Sequence, residues 1–159
     1  MRRGRAIAFS VILALSVVAP ITTVVAQQGP PEDFTDSFPI EGICEFPVLV
    51  ELNGKAKTIE LPSGSLLFTS PQLTATFTNL DNPSHRETLG ITGAISQTAL
   101  ANGDVELVFT GRNLVIDFDP IAGFVITIGR FSVSFDDDFN VTQPLSGNGQ
   151  VIDVCGLLN

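Results

Sequence analysis

Alternating apolar and polar residues, separated by turn sequences, run through most of the chain from Cys44 onward. The first such segment is apolar at every second position: Phe46, Val48, Val50 and Leu52. This period of two is typical of half-buried β-strands. Asn53-Gly54 and Asn102-Gly103 are dipeptides that favour tight hairpin turns. No stretch after the first 26 residues has convincing helical periodicity, so the pattern predicts an all-β domain.

Two predicted strands are long for an open sheet, and the apolar residues of each change phase at a glycine. The change falls at Gly111 within Val105–Phe118 and at Gly129 within Phe124–Phe135. Either an extra residue bulges at the glycine, or opposite faces are covered along different halves of the strand. We therefore predict a single-domain, mostly antiparallel meander of about eight strands, either a calycin-like β-barrel or a β-sandwich.

Residues 1–26 have the organisation of a secretory signal peptide. Three arginines within the first five residues precede the apolar run Ala6–Ala19, and the small residue Ala26 precedes the predicted cleavage point. Pro20 ends the run short of the roughly 20 apolar residues that a transmembrane helix needs. We expect a secreted, extracellular protein that has no membrane attachment once this segment is removed.

Acidic residues outnumber basic ones, with 17 Asp+Glu against 8 Lys+Arg and a net charge of −9. Removing residues 1–26 takes away three arginines and no acid, so the net charge becomes −12. This sign excludes a nucleic-acid partner and an anionic membrane surface. It favours solubility, or alternatively a cationic partner. One His and two Cys exclude multi-histidine and four-cysteine metal sites, and we predict no cofactor.

The remaining chain divides into an arm and a domain. Residues 27–42 are acidic and proline-rich, which predicts a flexible arm, and residues 43–159 form the β domain. Cys44 and Cys155 lie near the two ends of that domain. In an exported chain they are expected to form one structural disulfide that holds the first and last strands together. A redox pair is the alternative, but the close spacing typical of such pairs is absent.

Three polar motifs have a chemical interpretation beside a structural one. The run Asp136–Asn140 begins like a calcium loop but lacks the Gly and Glu that complete an EF-hand, so a solvated turn is favoured. Asp117 and Asp119 could form a carboxylate pair, although Asp beside Pro commonly starts a turn. His85 has no second histidine nearby in the sequence and is expected to be an exposed loop residue.

Arg112 and Arg130 are the candidate ligand-binding residues. Each directly follows one of the two glycines at which a strand changes phase. A guanidinium that points into a barrel could bind a carboxylate there. A guanidinium that points outward would instead place a positive charge on the edge of the sheet or form an ion pair with an acidic side chain.

Several runs resemble a family of small exported actinobacterial proteins of unknown function. Three of them are Thr110–Leu114, Asp119-Pro120 with Ala122–Phe124, and Ile128–Ser132. Two more, Gln143–Gln150 and Ile152–Cys155, lie near the end of the chain. The resemblance covers roughly Cys44 to Leu158. It implies a bacterial, exported origin and supplies no catalytic residues.

Three hypotheses for function follow. The first is a non-enzymatic secreted β domain that binds a small apolar ligand or an extracellular protein, because no catalytic constellation is present. The second is a barrel hydrolase or cyclase that uses acids with Arg112 or Arg130. The third is a structural component of the cell surface without a discrete site. The number of subunits is left open.

Overall fold

The computed structural model describes residues 29–116 and 123–159, so the predicted signal peptide lies outside the described residues. Nine strands and one short helix occur there: β1 Glu32–Ile40, β2 Val48–Glu60, β3 Leu66–Thr69, β4 Thr74–Asn79, β5 Arg86–Gly90, β6 Ala94–Ala99, β7 Val105–Ile116, β8 Phe124–Phe135, β9 Val141–Asp153 and α1 Val154–Leu157. Within these ranges, no helix has both the length and the apolar character needed to cross a membrane.

The strands form one antiparallel sheet with the order β5-β4-β2-β3-β6-β7-β8-β9, and β1 also pairs with β2. β3 and β4 pair with successive segments of β2, at Lys57–Glu60 and Val48–Asn53. β6 and β5 pair in turn with β3 and β4. The chain is therefore an up-and-down meander. β3 and β4 lie end to end along β2, and β5 and β6 lie in turn along β4 and β3. The predicted all-β antiparallel class is confirmed.

The sheet is open, because no pairing between described strands joins β9 to β1 or to β5. It folds over instead, so that β1, β2 and β4 pack against β7, β8 and the helix α1 around one core. The rings of Phe77 on β4 and Phe124 on β8 meet across this core. This half of the molecule is therefore arranged as a sandwich. The closed barrel, one of the two predicted forms, does not occur.

Glycines of neighbouring strands form a row where the sheet divides. Gly111 on β7 pairs with Gly129 on β8, and Gly129 pairs with Gly149 on β9. A Cβ added to Gly129 would lie 2.3 Å from the carbonyl oxygen of Asn148, so this close approach requires glycine. Beyond the row, β7 no longer pairs with the strand before it, since β6 pairs with β7 only up to Thr110.

The phase change at these glycines comes from a two-sided core. The β7–β8 register continues without a shift from Val105↔Phe135 to Ile116↔Phe124, so the bulge expected at Gly111 and Gly129 is absent from this pair. Two separate core clusters lie on opposite faces of β7 and β8. Even-numbered residues contribute to the first cluster: Leu114, Ile116, Phe124, Ile126 and Ile128. Odd-numbered residues contribute to the second: Leu107, Phe109, Val115, Val125, Phe131, Val133 and Phe135.

The segment predicted as a flexible arm contains the edge strand β1, which corrects that expectation. Nine residues of β1 pair with β2, from Glu32↔Ala56 to Ile40↔Val48. Phe34, Phe38 and Ile40 pack on the first core cluster, whereas the acidic side chains are exposed. An edge strand needs burial on one face alone and tolerates proline, so acids and prolines did not prevent pairing.

The predicted disulfide is confirmed, with a Cα–Cα distance of 5.5 Å between Cys44 and Cys155. It joins the segment before β2 to α1, rather than two strands. Val154 and Leu158, at either end of this helix, are fully buried in the first core cluster. The disulfide therefore links the segment before β2 to a helix that packs on the first core cluster.

His85 is half-buried rather than exposed, because its side chain contacts the backbone of Leu158, just after α1. Its Nδ1 lies 3.0 Å from the backbone oxygen of Leu158. The buried Asn79 donates from Nδ2 to that oxygen at 3.2 Å. The turn between β4 and β5 is thereby held against α1, which gives His85 a structural position.

Candidate functional site

Arg112 and Arg130 occupy diagonal positions across the Gly111–Gly129 pair. Arg112 lies opposite Ile128, and Arg130 lies opposite Thr110. Arg112 is half-buried and Arg130 is exposed. Neither guanidinium makes a hydrogen bond or an ion pair with another described residue. Their ligand-binding role stays a prediction.

A shallow groove lies beside the glycine row, where β3 ends and β6 begins, and residues of β7 also line it. Its volume is about 410 Å³, and it is wide open to solvent. Three threonines, Thr69, Thr92 and Thr110, line it together with small residues, and no titratable side chain contributes to its lining. Hydroxyls can donate and accept hydrogen bonds, but they do not provide an acid and a base near neutral pH. Neither Arg112 nor Arg130 lines this groove.

The acidic run before β9 forms a hairpin turn. The Asp136 carboxylate accepts hydrogen bonds from the backbone N–H groups of Asp138 and Asn140, and from the Asn140 side-chain amide. The amide of Asn140 is the main cause of a lowered pKa at Asp136. Within the described ranges, no group of three His, Cys, Asp or Glu side chains could hold a metal ion. Asp117 and Asp119 lie outside the described residues.

An edge of the sheet offers a different kind of site. β1 and β5 are edge strands that carry charged residues: Glu32, Asp33 and Asp36 on β1, and Arg86 and Glu87 on β5. Such charges are a common protection of sheet edges against pairing with other chains. β9 is an edge strand without these charges, and its interruptions, Pro144 and the register shifts, lie in its first half. Ten of its 13 residues pair with β8 on one side, with register shifts between Val141 and Ser146, and no described strand pairs with the other side.

The β9 strand is uncharged from Val141 to Ile152, and Asp153 is its one charged residue. Most of its side chains are exposed, and Val151 is 55% exposed. Leu145 and Val141 turn inward and pack on the second core cluster. The strand is therefore held on one side by β8 and the core, while its outer edge faces solvent.

The sequence pattern did not reveal the full length of β9. Gly147 and Gly149 interrupt the alternation of apolar and polar residues within it. The structure nevertheless pairs Ser146–Gly149 with β8 and places Gly147 opposite Phe131. The absence of charge from Val141 to Ile152 was the signal that could have identified the site.

Comparison with known proteins yields no relatives. No protein family, no curated protein and no solved structure matches this sequence or this fold. The chemistry of the described residues is consequently the sole basis for a functional assignment. It consists of an uncharged sheet edge, two arginines without described partners and an open groove lined by threonines and small residues.

Proposed function

We propose that this chain is an exported, non-catalytic binding domain that engages another protein chain by strand addition at β9. The observation that carries the proposal is that the outer edge of β9 is uncharged from Val141 to Ile152, whereas the edge strands β1 and β5 both carry charged residues. In strand addition, main-chain hydrogen bonds supply affinity, and the alternating side chains supply specificity. The eight residues Ser146–Asp153, which pair with β8 without a register shift, are long enough for such pairing.

Two features of the scaffold support a binding role. Both core clusters contain residues of β8, and the disulfide fixes Cys155 just after the end of β9, so that β9 is presented on a rigid base. A rigid strand loses little conformational entropy when a second strand docks on it. The openness of the groove favours a protein partner over a small apolar ligand, because small ligands are bound in enclosed pockets that bury most of their surface.

Site-specific photo-cross-linking in the exporting organism tests this proposal. A benzophenone side chain at Ser146 on β9 is expected to give a discrete adduct with another protein chain. The matched control carries the same group at the exposed Thr88 on β5 and is expected to give none. The double variant Ser146→benzophenone, Gln150→Lys is expected to lose the adduct, because a lysine on an edge opposes pairing.

Two results would contradict strand addition at β9. One is equal adduct formation at Ser146 and Thr88, since it would show contact without selectivity for the edge. The other is an adduct that persists at full yield in the lysine variant. Thermal unfolding of each variant serves as the control that the domain is folded.

A further inference from the structure

We infer that the strand added to β9 is the β9 strand of a second copy, paired antiparallel about a two-fold axis at Asn148. This inference rests on the proposed function of the β9 edge and names its partner. A two-fold interface places the same patch of both subunits face to face, so the patch must complement itself. The residues of β9 satisfy that requirement.

The residue types of β9 are symmetric about Asn148 over three positions on each side. Moving outward in both directions, the strand has a glycine, then an uncharged polar residue, then an apolar residue: Gly147 and Gly149, Ser146 and Gln150, Leu145 and Val151. With Asn148 opposite Asn148 of the partner subunit, Val151 comes to lie opposite Leu145 of the partner subunit. Cross-strand apolar pairs of this kind stabilise antiparallel strands.

Close packing against β8 explains why glycine occupies positions 147 and 149. A Cβ at Gly147 would lie 2.1 Å from the Arg130 carbonyl oxygen, and one at Gly149 would lie 2.0 Å from that of Ile128. Contact with β8 therefore requires both glycines. It does not require the residues beyond them, because Ser146, Gln150 and Val151 are exposed. Their symmetric placement and the exposure of Val151 are what a second copy accounts for.

The distribution of charge selects the antiparallel direction. Two copies of this acidic chain repel one another, so pairing is favoured where both surfaces are uncharged. In the antiparallel register centred on Asn148, the two Asp153 carboxylates are about 34 Å apart along the strands, which is well beyond the screening length. In a parallel pair they would be neighbours.

Cysteine scanning of the chain without its signal segment tests the two-fold axis. Asn148→Cys places two Cα atoms directly opposite, about 4.5–5.5 Å apart, which is within the range of a disulfide. The controls Ser146→Cys and Gln150→Cys place like residues about 14 Å apart. We expect an intermolecular disulfide for Asn148→Cys and none for either control, with Cys44–Cys155 intact in all three by peptide mapping.

Sedimentation equilibrium supplies a test without new cysteines. The unmodified chain is expected to dimerise in a concentration-dependent manner. Asn148→Lys, which brings two ammonium groups together at the axis, is expected to raise the dissociation constant about tenfold or more. The matched Thr88→Lys on β5 should leave the dissociation constant within about twofold, because it lies outside the interface.

The outcomes separate this inference from the proposed function. A monomer at all concentrations, with no intermolecular disulfide in the Asn148→Cys variant, would overturn self-pairing. A Ser146 adduct with a different protein would then leave strand addition intact. A dimer that cross-links equally in all three cysteine variants, or that ignores Asn148→Lys, would also overturn the axis. Absence of both dimer and adduct would overturn both proposals.

Discussion

The ring of Phe77 on β4 meets the ring of Phe124 on β8 edge to face, with centroids 5.4 Å apart and planes inclined at 82°. Both side chains are among the largest that are fully buried. They belong to strands that are distant in the meander and are not hydrogen-bonded to each other. Side-chain packing therefore joins the two layers of the sandwich at this point, because no backbone hydrogen bonds connect β4 with β8.

Removing one ring of this pair should strongly destabilise the domain. We expect Phe77→Ala to lower the free energy of unfolding by about 3–5 kcal/mol, since it deletes apolar contacts and leaves a cavity. Phe77→Leu should have a smaller effect, because more of the volume is retained. Urea unfolding measures both. The exposed Phe139→Ala is the control, and an equal effect at that site would contradict this account of the core.

The disulfide should stabilise the domain chiefly by restricting the unfolded chain. Cys44 and Cys155 are separated by 111 positions, so the cross-link closes a long loop. We expect the double variant Cys44→Ala, Cys155→Ala to lose about 2–5 kcal/mol of unfolding free energy. Chemical unfolding of the oxidised protein and of the variant measures the difference. Equal stability of the two proteins would show that the cross-link contributes nothing.

The glycine row should not tolerate side chains. Gly129 has a φ of +138°, and an added Cβ would meet the backbone of β9. We expect Gly129→Ala to destabilise the domain by more than about 2 kcal/mol, because β9 must shift. Gly90→Ala is the matched control on β5, where nothing lies within 4 Å of the added Cβ and φ is ordinary. That variant should be neutral or slightly stabilising. Thermal unfolding compares the two, and similar midpoints would be the contrary result.

Hydrogen bonds to Asp136 should make the stability of the β8–β9 turn depend on pH. The side-chain and backbone groups of Asn140 are the leading causes of a pKa below the ordinary value of 3.8 at Asp136. A lowered folded-state pKa stabilises the folded protein above the unfolded pKa, and this contribution is lost as pH falls through the folded value.

The variant Asn140→Ala isolates that contribution. We expect it to be less stable than the unmodified protein at about pH 6, with a smaller difference at a strongly acidic pH where the carboxyl is protonated. Asp137, whose carboxylate accepts no described hydrogen bond, gives the control variant Asp137→Asn. Unfolding free energies at the two pH values decide the matter. A difference in unfolding free energy between Asn140→Ala and the unmodified protein that is independent of pH would show that the Asn140 amide does not act by stabilising the ionised carboxylate of Asp136.

Local patterns predicted much of the fold. Alternation and flanking turns located β8 at Phe124–Phe135, with the bounds that the structure has. Those patterns depend on which side chains can be buried along a strand, and this is a local property. The strand β1 was missed because acids and prolines suggested disorder, whereas burial of Phe34, Phe38 and Ile40 against a distant core decided its state.

The candidate site was less predictable than the fold. Arg112 and Arg130 stood out in the sequence, but the structure shows no described polar partner for either. The β9 edge was overlooked because a strand becomes an edge through the order of the whole sheet, and that order involves residues far apart in the chain.

The sequence by itself determined the all-β class, the hairpin turns and the chemistry of the Cys44–Cys155 pair, since each depends on nearby residues or on residue type. Tertiary structure decided whether the sheet closes and which strand is left at its edge. At Gly111 and Gly129 the sequence allowed either a bulge or a two-sided core. Packing of opposite faces into two separate clusters selected the second, because burial of apolar surface depends on what the rest of the chain places against it.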